Sequence, residues 1–110
     1  MTFVDTHCHL YDEAFDADRD AAVRRAIEAG VTTMLLPDID SSSTDRLDAL
    51  QRRYPEHFHS MAGLHPTSVK EDFEQELQHV RDRLVTVPGR FVAVGEIGMD
   101  LYWDRTYEEQ

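Results

Sequence analysis

A single cysteine, Cys8, excludes an internal disulfide and fits a reducing compartment. Gly and Pro are sparse, five and four of 110 residues, and no linker, low-complexity tract or exact internal repeat divides the chain. That excludes a disordered tail and describes one undivided unit. No apolar stretch approaches the length that spans a bilayer, and the N-terminus MTFVDTHCHL lacks the basic flank and long apolar run of a secretory signal. A cytoplasmic protein without membrane association is expected. Basic residues are few, 11 Lys and Arg against 22 Asp and Glu, for a formal net charge of −11. Such a field repels polyanions at a distance and disfavours non-specific adhesion to nucleic acid or anionic membrane. It leaves open a nucleic acid held through metal ions in a pocket, because a bound divalent cation dominates the field close to it.

What the chain does have is 41 % hydrophobic and 30 % charged residues in a regular alternation of elements. Short β-branched or apolar runs at Thr2–Val4, Val31–Leu36, Phe58–Ala62 and Phe91–Val94 read as strands. Between them a helix is expected over about Ala17–Ala29, with Gly30 suited to its C-terminal cap. A second follows the Ser41–Ser43 cluster, whose hydroxyls can cap free N–H groups, and ends at Tyr54-Pro55. A third, over about Val69–Val85, places Phe73, Leu77, Val80 and Leu84 on one face. Thr106–Gln110 reads as the start of another helix. Strand, helix, strand at this spacing is the βαβ unit, with parallel strands and right-handed crossovers. An eight-stranded parallel barrel takes about 250 residues to close. The fold class is therefore α/β, either a small open domain or the N-terminal portion of a barrel, with four parallel strands and three intervening helices in one unit over residues 1–110.

Chemistry gathers where such strands end. In Asp5-Thr6-His7-Cys8-His9-Leu10, residues two apart in extended chain face one side, so His7 and His9 can share a metal ion. The plainer reading is one buried and one solvated histidine. Cys8, pointing the other way, reads as buried filler. In Val94-Gly95-Glu96-Ile97-Gly98-Met99-Asp100, Glu96 leaves an apolar strand and needs a partner, which suits a carboxylate bridging cations. Asp100 follows in the loop, where a turn or cap role is the alternative. Ala62-Gly63-Leu64-His65-Pro66 places His65 at a third strand end, as metal ligand, phosphate donor, general acid or base, or a ring closing the strand on backbone. His57, His59 and His79 read as structural or solvated. Tyr102, Trp103 and Tyr107 read as packing or as rings at a pocket mouth.

Together D-T-H-C-H-L, G-L-H-P and V-G-E-I-G-M-D, in this order and at these separations, resemble the TatD family of metal-dependent deoxyribonucleases, and the three blocks span nearly the whole chain. The resemblance implies the N-terminal half of a TatD-like metallohydrolase of the amidohydrolase-like TIM-barrel kind. It implies a centre of two divalent metal ions, Mg, Mn or Zn, that cleaves phosphodiester bonds of DNA by activating water. DNA, single-stranded or at its ends, would be the substrate. Carried over by position, His7 and His9 match the family's first metal pair and Glu96 its bridging carboxylate. His65 matches the histidine of its G-x-H-P block, and Asp100 the aspartate after the glutamate block; these two are the expected catalytic residues. Two departures stand out. Tyr11 and then Asp12 occupy places where many members have Asp directly, and the family's remaining metal histidines and late aspartate lie beyond residue 110. The 110 residues alone are then expected to be inactive. Two other readings share the same residues: a metal-dependent hydrolase of small amides or lactones, and a non-catalytic half-barrel that self-associates or pairs with another chain to cover its open sheet edges.

Overall fold

A computed structural model describes residues 1–103 and 108–110. Four strands, β1 (Phe3–Asp5), β2 (Val31–Leu36), β3 (Phe58–Ala62) and β4 (Ala93–Val94), alternate with three helices, α1 (Arg19–Glu28), α2 (Thr44–Arg53) and α3 (Phe73–Thr86). The sheet is wholly parallel and runs in sequence order, β1-β2-β3-β4. This is the arrangement that successive βαβ units produce. Among the described residues no helix is long and apolar enough to cross a membrane.

Boundaries differ from expectation where side chains redirect the backbone. α1 and α3 begin later than the periodicity suggests, at Arg19 and Phe73, and short 3₁₀ turns at Glu13–Phe15 and Pro66–Ser68 lie in the connections before them. The serine cluster does not cap α2 through its last member: the Ser43 hydroxyl donates to Asp38 Oδ1 at 2.6 Å, and no side-chain cap bond forms at the helix start. β4 is shorter than expected, although Val92 N–H already donates to Ser60 O ahead of it. The helix start expected at Thr106 falls outside the described residues.

Alternation along the two inner strands sets the core. Ala62 of β3 packs with Val80 of α3 in a smaller cluster, while Met34 and Leu36 of β2 and Phe58 of β3, almost fully buried, pack with Val23 of α1 and Leu47 and Leu50 of α2 in the main core. Cys8 joins this core, and burial pushes its thiol pKa up. The outer strands are different, since Phe3, Val4 and Val94 are half or more exposed.

At the far side of α2 the polar face of α3 closes over the core. Arg83 holds both carboxylate oxygens of Asp48 at 2.9 Å, and Arg90 adds a third contact at 2.8 Å. Burial works to raise the Asp48 pKa, but the two guanidiniums outweigh it and hold the group below the usual carboxylate range. A depressed folded pKa adds stability above the unfolded value, lost as pH falls through the folded one. Asp48→Asn should therefore cost about 3 kcal/mol at pH 7, because it leaves Arg83 buried without its partner. Denaturant titrations should also show a smaller loss of stability below about pH 4 than in the wild type.

Gly63 follows β3 directly under the β4 exit. A Cβ built there would fall 2.6 Å from Glu96 N and closer still to the Gly95 carbonyl, so only glycine lets the two backbones meet. Gly63→Ala should lower stability by about 3 kcal/mol in the same titration, because neither backbone can give way.

Candidate metal centre

The three strand ends that carry histidine or glutamate do converge. His7 and His9 lie just beyond β1, where Cys8 N–H still donates to Leu35 O at 3.0 Å and prolongs the extended alternation. Cys8 therefore points into the core and its neighbours to the opposite side. Their Nε2 atoms stand 3.0 Å apart. Glu96, from the end of β4, places Oε2 at 3.2 Å from His7 Nε2 and 3.4 Å from His9 Nε2. Its other oxygen, Oε1, faces His65 Nε2 at 3.1 Å. The carboxylate thus divides its two oxygens between the H-x-H pair and His65.

Hydrogen bonding fixes the proton on two of these rings. The Tyr11 hydroxyl has one hydrogen, and it goes to Pro37 O at 2.5 Å. The 2.9 Å contact between Tyr11 Oη and His9 Nδ1 must then be donated by the ring, which leaves His9 Nε2 with a bare lone pair facing the cluster. Burial lowers the His9 pKa, and the neighbouring His7 adds to this, so the neutral ring is favoured. Burial and the carboxylates of Asp38 and Glu96 push the Tyr11 pKa up, so its hydroxyl keeps its proton. At His65 the order is reversed. Thr67 N–H donates to Nδ1 at 3.1 Å, so that nitrogen bears the lone pair and Nε2 carries the hydrogen that meets Glu96.

His7, His9 and Glu96 each offer a ligand atom within 4.8 Å of the others. Two imidazole nitrogens and a carboxylate oxygen are a donor set that Zn, Mn or Mg accepts, once His7 turns its lone pair to the same point. The residues present fit a divalent cation. They open onto a cavity of about 560 Å³ that His65, Tyr11 and Arg46 also line. A cavity of similar size between α1 and α2 is lined by Arg and Asp side chains already ion-paired with one another, such as Arg53 with Asp20, and brings no such donor set together.

Asp100 stands apart from the four. Its Oδ1 accepts from the backbone N–H groups of Tyr102 and Trp103 at 2.8 and 3.0 Å, and it is not among the described residues lining the cavity. Tyr102 and Trp103 are both more than three-quarters exposed and pack edge to face on each other, away from the cavity. Tyr107 lies outside the described residues. His57 bonds Thr32 O and His79 bonds the Thr44 hydroxyl, both structural contacts.

Sequence reasoning missed the residues behind the cluster. Tyr11 orients His9, and the sequence marks it only as a departure from the family pattern two residues after His9. Arg19 clamps the loop after the H-x-H pair by donating to the carbonyls of Leu10, Tyr11 and Asp12.

The family model described as TatD related DNase matches residues 4–110. The metal-dependent hydrolase YjjV of Escherichia coli K12, which carries the word uncharacterized in its name, is 35 % identical over 102 residues, covering 93 % of this chain and 39 % of that protein. The 3'-5' ssDNA/RNA exonuclease TatD of Erwinia tasmaniensis is 34 % identical over 96 residues, covering 87 % of this chain and 36 % of that one. A crystal structure of the Escherichia coli YjjV protein, a TatD homologue, superposes with a TM-score of 0.84 at 34 % identity, over 96 % of this chain and 41 % of that one. The four parallel strands and three helices are thus a half-barrel that matches part of a TatD barrel. The chain spans about two fifths of the length of the relatives it matches.

The ring protons give a direct test of the site. Long-range proton–nitrogen NMR spectra of the metal-free protein near neutral pH should show His9 protonated on Nδ1 and His65 on Nε2. Tyr11→Phe should release the His9 preference and leave that of His65 unchanged.

Proposed function

Because the chain belongs to the TatD-related DNase family, we propose that it forms the part of a metal-dependent phosphodiesterase for DNA that holds the first ligands of a divalent metal centre. One observation carries this reading: the His7–His9 pair after β1 and the distant Glu96 after β4 bring two nitrogens and an oxygen to one point beside an open cavity. Divalent cations bound there would supply an acidic water and offset the charge of a phosphodiester. Mg, Mn and Zn all suit the donors, and two ions are the expected complement.

The side chains divide the remaining work. His9, its Nδ1 proton given to Tyr11, presents a lone pair. Glu96 Oε2 shares the space of the H-x-H pair while Oε1 takes the His65 hydrogen, which restrains the carboxylate in one rotamer. When substrate displaces that contact, His65 Nε2–H is placed to donate to a phosphate oxygen. Asp100 acts on the same reaction through the loop it closes, not by touching the cluster. Arg46 is the one Lys or Arg among the described residues lining the cavity, and because it is paired with Asp16 a strand's phosphate would compete with that carboxylate for it. The likeness to the Erwinia exonuclease supports single strands or strand ends as the form of DNA that enters.

Glu96→Ala in the protein expressed from its full reading frame should lower Mg- or Mn-dependent cleavage of single-stranded DNA by about 1,000-fold or more, while circular dichroism stays that of the wild type. Full turnover in that variant would remove Glu96 from the role assigned to it. Hydrolysis of a small amide or lactone, with single-stranded DNA left intact in the presence of Mg or Mn, would replace the nuclease reading with that of a small-molecule hydrolase.

A further inference from the structure

The segment Pro37-Asp38-Ile39, directly after β2, touches the backbone or support of three of the four clustered residues. Pro37 O accepts the Tyr11 hydroxyl that orients His9. Asp38 N–H donates to Gly95 O and Asp38 O accepts from Glu96 N–H, each at 3.0 Å. Ile39 O accepts from His65 N–H at 2.8 Å. Three consecutive carbonyls are thereby committed to the site, so any shift of this segment moves His9, Glu96 and His65 together.

What holds the segment is the Asp38 side chain, only 2 % exposed. Its Oδ1 accepts from the Ser43 hydroxyl at 2.6 Å and from Ile39 N–H at 3.0 Å, and its Oδ2 accepts from the Thr44 hydroxyl at 2.7 Å. The Thr44 hydroxyl is also 3.0 Å from His79 Nε2 on α3, and Arg83 Nε, buried and with no hydrogen-bond partner, lies 4.0 Å from Oδ2. A carboxylate so placed is bound to the start of α2 and faced by α3, while its own backbone reaches across to the β4 exit. Burying it is costly unless these contacts are made.

We propose that Asp38 is a positioning residue of the centre: its carboxylate locks Pro37–Ile39 to α2 and α3, and the backbone of that segment sets where His9, His65 and Glu96 stand. The inference rests on the metal reading given above and adds to it a residue that touches neither the cation nor the substrate. Ser43 and Thr44 anchor it, one on each carboxylate oxygen. Removing a group that orients ligands from behind costs about tenfold to a hundredfold in metal affinity.

The test uses the protein from its full reading frame, with Mn2+ alone as the probe, and reads free Mn2+ by electron paramagnetic resonance. Asp38→Asn keeps the side chain's volume and one acceptor, and Thr44→Val keeps the shape of one anchor. Both should bind Mn2+ at least tenfold more weakly. Amide exchange at Glu96 and His65 should accelerate at least tenfold, while Cys8 N–H, bonded to Leu35, keeps its rate. Val23→Ala, a cavity in the core under α1, should lower stability without changing Mn2+ affinity. The inference is overturned if Asp38→Asn and Thr44→Val bind Mn2+ like the wild type, if Glu96 and His65 keep their protection, or if Val23→Ala reproduces the loss. A wild-type protein that takes up no Mn2+ would instead bring down the metal reading, and the inference with it.

Discussion

The paired hydrogen bonds between the Asp38 peptide and Gly95-Glu96 are the constraint on which the rest of the site depends. A carboxylate at a strand end has several rotamers and a mobile backbone, and neither favours a fixed ligand. Here the C=O and the N–H of the peptide joining Gly95 to Glu96 are both bound by the backbone of Asp38, with Gly63 beneath it allowing backbone to lie on backbone. Main-chain groups that would otherwise be orphaned at the end of a short strand are satisfied by doing this. The same bonds that complete the local hydrogen bonding therefore also fix the origin of the Glu96 side chain. Placement to within a fraction of an ångström is what metal binding and catalysis require, and backbone contacts supply it with little side-chain entropy to lose.

Around that fixed carboxylate the three imidazoles are not equivalent. His9 and His65 are both neutral-ring donors and acceptors in principle, yet Tyr11 and the Thr67 amide give them opposite tautomers. One presents a lone pair toward Glu96 Oε2, the other a hydrogen toward Oε1. A ring with a bare nitrogen suits a cation, and a ring with an N–H suits an anion. The two ends of one carboxylate thus mark the boundary between where a metal belongs and where a phosphate oxygen belongs. That boundary is set by a hydroxyl and a backbone amide, neither of which touches Glu96.

Much of this was legible in the sequence, for a physical reason. The period-two spacing of His7 and His9 survives because Cys8 keeps the extended pairing with β2, and the alternating runs of β2 and β3 survive because their inner faces are covered by helices. What was not legible depends on contacts between distant elements. Asp38 sits in P-D-I-D-S-S-S-T, where an acidic residue before serines reads as a local cap. Its burial arises only when α3 lies over the start of α2, and Arg83 on the charged face of α3 shows the same effect at 10 % side-chain exposure. Periodicity records which face of a helix is apolar, but not which charges on the other face find partners. Tyr11 stood in the sequence as a mere departure from a pattern, while in the fold it is 1 % exposed and holds His9.

The ligands come from the two outer strands, and this ties the chemistry to the curvature of the sheet. In a flat parallel sheet β1 and β4, three intervals apart, would lie about 14 Å from each other. A histidine and a glutamate reaching toward one another over that span would just fail to meet with the geometry of a ligand set. Yet His7 Nε2 and Glu96 Oε2 are 3.2 Å apart. The sheet must therefore curl toward the face on which these side chains lie, which is the sense in which strands tilt and close into a barrel. The inner strands carry the packed core and the outer strands carry the ligands, so core packing that sets the curl also sets the ligand distances. A substitution in β2 or β3 that flattened the sheet would open the centre without touching a single ligand, whereas a cavity on the α1 side that leaves the curl unchanged lowers stability and spares the ligand distances.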